Sequence, residues 1–145
     1  MFFGIHTLSL NEKKELNLPN ALRETMGGTA FLTRGFDNNL FLLPQEAFQT
    51  LSSHVRSTSI TDPASRLLRR LFLSGAARMS LHERGRMEVP VDLCSYAGLD
   101  KEVTLVGQGD YLEIWSSSEW TKQMEILNAP EANIQRFEKF NLPLD

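Results

Sequence analysis

"LHERGRMEVP", Leu81 to Pro90, is a polar, basic run between short alternating apolar pieces, and an altered copy, "LNEKKELNLP", occupies Leu10 to Pro19. Set over one another, Leu8–Leu22 and Met79–Leu93 align without a gap. Ser9/Ser80, Leu10/Leu81, Glu12/Glu83, Pro19/Pro90 and Leu22/Leu93 are identical, and Leu8/Met79, Leu16/Met87 and Leu18/Val89 stay apolar. The match continues from "FLTRGFDNNLFLLPQEAF" to "TLVGQGDYLEIWSSSEW" with one residue's difference in the turn: Leu32 meets Leu105, Asp37 meets Asp110, Leu40 meets Leu112 and Phe48 meets Trp120. A period of about seventy residues belongs to a duplicated half-domain, not to a solenoid.

Within each unit the apolar positions around the basic run recur with period two: Leu8, Leu10, Leu16 and Leu18 in the first, Met79, Leu81, Met87 and Val89 in the second. That pattern predicts a hairpin with a polar tip. Pro19 or Pro90 then stops the strand and suits the first turn of a short helix, on which Leu18, Leu22 and Met26 recur at i, i+4. Gly27-Gly28 and Gly98 provide left-handed residues to end it. A second strand pair turning at "GFDNN" or "GQGD" follows, then a closing helix, which in the second unit opens at Ser116 and Glu119 with capping-box spacing. Between the units "RSTSITDP" reads as a loop, and Asp62-Pro63 opens a helix with Leu67, Leu68, Leu71 and Phe72 as its apolar stripe. The expected organisation is α+β: a first half-domain over 1–56, a connecting loop and helix over 57–76, a second half-domain over 77–127, and a partly helical tail over 128–145.

The chain has 145 residues, 41% hydrophobic and 23% charged, the ordinary range for a globular protein. A body of this length buries roughly two-thirds of its unfolded surface, so its stability needs neither disulfide nor metal. The lone Cys94 cannot form an internal bridge, and the cytoplasm is the expected compartment. "MFFGIHTLSL" lacks the basic leader and cleavage site of a signal peptide, and no stretch approaches the roughly 20 apolar residues of a membrane span. With a net charge of −3 and a pI near 5.6, any nucleic-acid binding must use a local basic surface.

A repeated basic tip followed by Pro and a short helix resembles the MraZ family, a branch of the AbrB-like swapped-hairpin fold. "LLRRLFLSGAARMSLHERGRMEVP" and "VTLVGQGDYLEIW" carry the resemblance most specifically, and it extends from "MFFG" across nearly the whole chain. It implies two tandem AbrB-like swapped-hairpin half-domains forming one β-rich body with short helices. It further implies a transcriptional regulator of the bacterial division and cell-wall gene cluster, cytoplasmic and nucleoid-associated. Such a protein forms a homo-oligomeric ring whose tips meet repeated boxes in double-stranded promoter DNA, with no membrane, cofactor or metal. On that reading Lys13, Lys14, Arg84 and Arg86 contact phosphates, and Arg86 reads a base.

The family signature in each half is D-x-x-x-R, commonly D-x-K-G-R. Three positions depart from it: Asn11 and His82 stand at the Asp positions and Glu15 at the first Arg position, whereas Arg86 keeps the second. The family tip sums to +1; here "NEKKE" sums to 0 and "HERGR" to +1 with His neutral. Each neutralised phosphate contributes counterion release, so a lost basic contact flattens the salt dependence by about one unit of slope. Glu15 also lacks the guanidinium fork that grips guanine edges. A second reading follows from these losses: an interaction protein of the same ring-forming fold, with DNA binding weakened or lost.

Other residues take plainer readings. Without the resemblance, Lys13, Lys14, Arg84 and Arg86 would be a solvated tip. Arg66, Arg69 and Arg70 read as an exposed helix face paired with acids. His82 and Cys94 lack ligand spacing for a metal, leaving His82 a tip residue able to gain charge below neutral pH and Cys94 a small core residue. "GQGDY" is a hairpin turn rather than a phosphate loop, Trp115 and Trp120 are packing aromatics, and no acid pair or nucleophile arrangement supports catalysis.

Overall fold

A computed structural model describes residues 1–81 and 84–143. In chain order the elements are β1 (Ile5–Ser9), β2 (Glu15–Asn17), α1 (Asn20–Met26), β3 (Thr29–Arg34), β4 (Leu40–Pro44), α2 (Gln45–Arg56), α3 (Pro63–Phe72), β5 (Ala77–Ser80), β6 (Arg86–Glu88), α4 (Val91–Ala97), β7 (Glu102–Gly107), β8 (Leu112–Ser116), α5 (Ser117–Leu127), α6 (Pro130–Phe137) and a short 3-10 turn (Glu138–Phe140).

Of the alternating apolar residues Leu8, Leu16, Met79 and Met87 lie in strands and Leu10, Leu18, Leu81 and Val89 just beyond the strand ends, Leu18 preceding α1 rather than lying on it; the two strands flanking each tip do not pair with each other. β1 pairs antiparallel with β7 of the other copy, β5 pairs with β3, and β2 pairs with β6. The local hairpin expected around each tip is therefore exchanged between the copies. The residues between β1 and β2 form a turn, while the two strands find their partners in the other copy. The result is a six-stranded sheet in the order β1-β7-β8-β4-β3-β5 and a separate two-stranded ribbon of β2 and β6. Equivalent strands occupy mirror positions in that order, so a pseudo-two-fold axis relates the copies. It passes through the Leu16–Met87 pair of the ribbon and the Phe41–Glu113 pair of the sheet, each pair joining equivalent positions.

Strand pleating separates two cores. On one face Ala30, Leu32, Leu40, Leu42, Val103, Leu105, Leu112 and Ile114 meet Leu16 and Met87 from the ribbon and Leu22, Met26, Leu93 and Cys94 from α1 and α4. On the other face Phe41 and Leu43 of β4 are buried with Val55 of α2 and Phe72 of α3. Beside them Trp120 of α5 packs on Val106 and Trp115 of the sheet, with the indoles edge to face at 5.5 Å. Phe48 stacks on Phe31 at 4.0 Å, fastening α2 to the sheet. Thr33 donates its hydroxyl to the Phe72 carbonyl at 2.5 Å, fastening α3.

The expected helix ends are present. Asp62 Oδ1 accepts from Ala64 N at 2.9 Å, and Ser116 Oγ accepts from Glu119 N at 3.2 Å. Gly27 at φ 84° and Gly98 at φ 60° follow α1 and α4. Two expectations change. Leu67 is exposed, because α3 buries the strip through Ser65, Leu68 and Phe72, to which Leu67 does not belong. Two of the three α3 arginines also bind carbonyls rather than acids: Arg69 Nη2 donates to Arg56 O and Thr58 O at 2.7 and 2.6 Å, and Arg66 Nη1 to Ile60 O at 3.0 Å. They tie down the α2–α3 loop, whose carbonyls would otherwise lack partners. At the N-terminus Phe2 bridges to Gly109 and is buried, while Phe3 crosses the bare backbone of Gly107, where a Cβ would collide with it, and points to solvent. Among the described residues no helix is long and apolar enough to cross a membrane.

Candidate nucleic-acid interface

The first tip is organised by Asn11. Its Oδ1 accepts from Lys13 N and Glu15 N, both at 2.9 Å, and its Nδ2 donates to Glu15 Oε1 at 3.0 Å. The Asn11 carbonyl accepts from Lys14 N at 2.9 Å, which closes the turn. An Asx side chain is suited to this task because it imitates a turn of backbone. The turn requires a left-handed residue at its fourth position, and Lys14 occupies it at φ 63°. Gly85 takes the equivalent place in the second tip at φ 70°. A Cβ there would stand 2.9 Å from the Leu18 carbonyl and 3.1 Å from Arg23 Cδ, so space as well as φ favours glycine. Arg84 lies exposed beside it. His82, the remaining departure from the signature, lies outside the described residues.

The tips are held at opposite ends of the ribbon by reciprocal bonds: Val89 N donates to Lys14 O at 2.8 Å, and Leu18 N to Gly85 O at 2.9 Å. With Leu16 and Met87 facing the core, the outer face of the ribbon carries Glu15, Asn17, Arg86 and Glu88. The surface thus carries basic groups at both ends, Lys13 and Lys14 beside the exposed Glu12 at one and Arg84 and Arg86 at the other, with Glu15 and Glu88 between. Register places Glu15 opposite Glu88 and Arg86 opposite Asn17. On this diagonal Arg86 Nε lies 3.7 Å from Glu15 Oε2, with the side chains 55% and 24% exposed.

Each tip leans on the short helix of the opposite unit. Arg23 of α1 packs against Gly85, adding a half-buried guanidinium beside the second tip. Sequence reasoning missed it, since the repeat aligns Arg23 with Cys94 and so offers no symmetric basic residue as a signal. Cys94 is the mirror case: burial pushes its thiol pKa up, nearby Lys14 pulls it down, and Asp92 adds a smaller upward push. Its Sγ lies 3.7 Å from the Val89 carbonyl, as suits a packed thiol. Among the described residues no group of three or more His, Cys, Asp or Glu is disposed to hold a metal.

The geometry is that of a duplicated unit, and comparison with known proteins finds the duplication. The family model described as "MraZ protein, putative antitoxin-like" matches residues 1–71 and again 72–139. The chain is 39% identical over 134 residues to the "Transcriptional regulator MraZ" of Thermomicrobium roseum, covering 92% of this chain and 94% of that one. To the protein of the same name from Syntrophomonas wolfei it is 39% identical over 125 residues, covering 86% and 87%. To that from Herpetosiphon aurantiacus it is 35% identical over 120 residues, covering 83% and 84%. The double match and the near-complete coverage, on a fold in which both copies exchange strands, establish that this chain belongs to the MraZ family.

Proposed function

We propose that this chain is a sequence-specific, DNA-binding transcriptional regulator, not an enzyme, that contacts repeated boxes in promoter DNA through the tips of its ribbon. The observation that carries the reading is the β2–β6 ribbon with basic groups at both ends, on a chain whose relatives are named as transcriptional regulators. A two-stranded ribbon fits the major groove of B-DNA. Lys13, Lys14 and Arg84 are placed to meet phosphates, and Arg86, on the strand itself, offers a bidentate fork to a base edge. Arg23 supports the second tip from behind. The division into 1–56, 57–76, 77–127 and 128–145 follows the repeat.

A homo-oligomeric ring is part of the proposal. Phe3, Ile5, Ile134, Phe140 and Leu142 are exposed apolar side chains, and a cleft of about 780 Å³ opens among Phe2, Leu43, Leu51 and Tyr111. Apolar surface of this kind is what subunit contacts cover. Several tips on one ring would act at high effective concentration on DNA with repeated sites. The regulator would work in the cytoplasm, associated with the nucleoid. The second reading, a ring-forming interaction protein with weakened DNA binding, draws on one observation: Glu15 and Glu88 put two acids on the face that would meet phosphates.

Fluorescence anisotropy of labelled DNA from upstream of the chain's own gene, titrated with native protein and Arg86→Ala at two salt concentrations, tests the choice. Tight, salt-sensitive binding weakened by Arg86→Ala supports the regulator. No binding by correctly assembled native protein favours the interaction protein.

A further inference from the structure

We propose that Glu15 is a positioning residue for Arg86, which it restrains in the free protein, so that the first copy of the motif acts on DNA through the second. The inference rests on the DNA-binding reading above and concerns the same surface.

Glu15 and Arg86 occupy equivalent positions in the two copies, and the pseudo-two-fold axis through Leu16 and Met87 brings them diagonally together on the outer face of the ribbon. Diagonal neighbours in an antiparallel pair lie within reach of long side chains. Two arginines here, as the family signature has it, would set like charges side by side across the axis. The sign reversal at one position replaces that repulsion with the 3.7 Å ion pair. The change is accommodated locally, since Asn11 Nδ2 donates to Glu15 Oε1 at 3.0 Å while Asn11 Oδ1 holds the turn. An aspartate at position 11 would have no proton to donate and would repel Glu15. Asn11 and Glu15 are therefore coupled departures, which keep the turn and reverse its charge.

Two consequences follow for binding. Arg86 must exchange its carboxylate partner for DNA, so part of its contact energy is offset. Releasing a guanidinium from a carboxylate also frees fewer DNA counterions on net than presenting an unpaired one, which lowers the salt slope. Because the pair is partly exposed, the restraint is modest, equivalent to about two- to five-fold in affinity.

The test is a double-mutant cycle with Glu15→Gln and Arg86→Ala, read by anisotropy on the upstream DNA across a salt series. It is joined by nuclear magnetic resonance of the Arg86 Nε–H group in the DNA-free native and Glu15→Gln proteins. Glutamine retains the amide oxygen that accepts from Asn11, so the turn survives. The expected result is a two- to five-fold gain in affinity for Glu15→Gln, a slope steeper by about one unit, and loss of most of the gain in the Arg86→Ala background. The Arg86 Nε–H should shift and exchange faster with water in Glu15→Gln. A gain of equal size with and without Arg86 would show Glu15 acting only by repelling phosphates and would overturn the inference, as would an unchanged Arg86 signal. Absence of binding by both native and Glu15→Gln proteins would overturn the regulator reading, and this inference with it; binding by the native protein with an additive cycle overturns the inference alone.

Discussion

Replacing Leu16 with Ala should destabilise both copies of the repeat, although Leu16 belongs to the first. The side chain is fully buried and faces Met87, itself 2% exposed, on the pseudo-two-fold axis. Its removal leaves a cavity bounded by ribbon, sheet and short helices, elements drawn from both halves. Truncating a buried leucine costs about 2–5 kcal/mol, and a site enclosed by several elements collapses poorly, so about 3 kcal/mol is expected. With a urea dependence of about 2 kcal/mol per molar for a chain of this size, the midpoint should fall by about 1.5 M. The assay is favourable because both tryptophans lie in the second copy, Trp115 on β8 and Trp120 on α5 packed against it. Their fluorescence reports on the half that does not carry the substitution. Native and variant proteins must be compared at equal concentration, since self-association adds to apparent stability. If the copies fold as one exchanged unit, tryptophan fluorescence and far-ultraviolet circular dichroism shift together. A tryptophan transition that stays in place while part of the dichroism melts early would mean that the copies fold independently.

Two further substitutions separate stability from binding. Lys14→Gly relieves a non-glycine left-handed residue at φ 63° and should stabilise the chain by about 1 kcal/mol in chemical denaturation, while weakening DNA binding and lowering the salt slope by about one unit. Burial holds the Glu113 carboxyl above its ordinary value of 4.5, and hydrogen bonds from Trp115 and Gln108 only partly counter this. With the folded pKa above the unfolded one, the folded state binds more protons in the intervening window, and stability falls as pH rises through it. Glu113→Gln, which keeps an oxygen for Trp115 Nε1, should match native melting at low pH. Its advantage should grow as pH rises above 4.5 and then level off, as thermal melts across pH would show.

Much of the fold is legible in the chain because the same physics is written twice. Leu8 and Leu16 fall in strands as their alternation implies, Ser116 with Glu119 caps α5, and the prolines at 19 and 90 stand at the N-caps of α1 and α4, one residue before the first turn expected for them. Strand partners are less legible. Alternation says which face of a strand is buried and nothing about which strand lies beside it, so the exchange of β1, β2, β5 and β6 between copies could come only through resemblance to a swapped-hairpin family. Leu67 illustrates another limit: adjacent leucines on a helix point about 100° apart, and only the partner surface decides which is buried. At the candidate site, charge counting identified Glu15 as a loss at the first tip. That Glu15 faces Arg86, its own counterpart in the repeat, depends on the axis through Leu16 and Met87, and that axis exists only in three dimensions. Arg23 was hidden for the same reason, because its place beside Gly85 is a contact between copies.

If DNA lies against the ribbon and its tips, amide hydrogen exchange of the assembled protein with and without its upstream DNA will show where. Added protection should be concentrated in residues 10–18 and 81–89, with α6 unchanged. Protection confined to α6 or to the cleft beside Tyr111, with both tips exchanging as in the free protein, would contradict that placement.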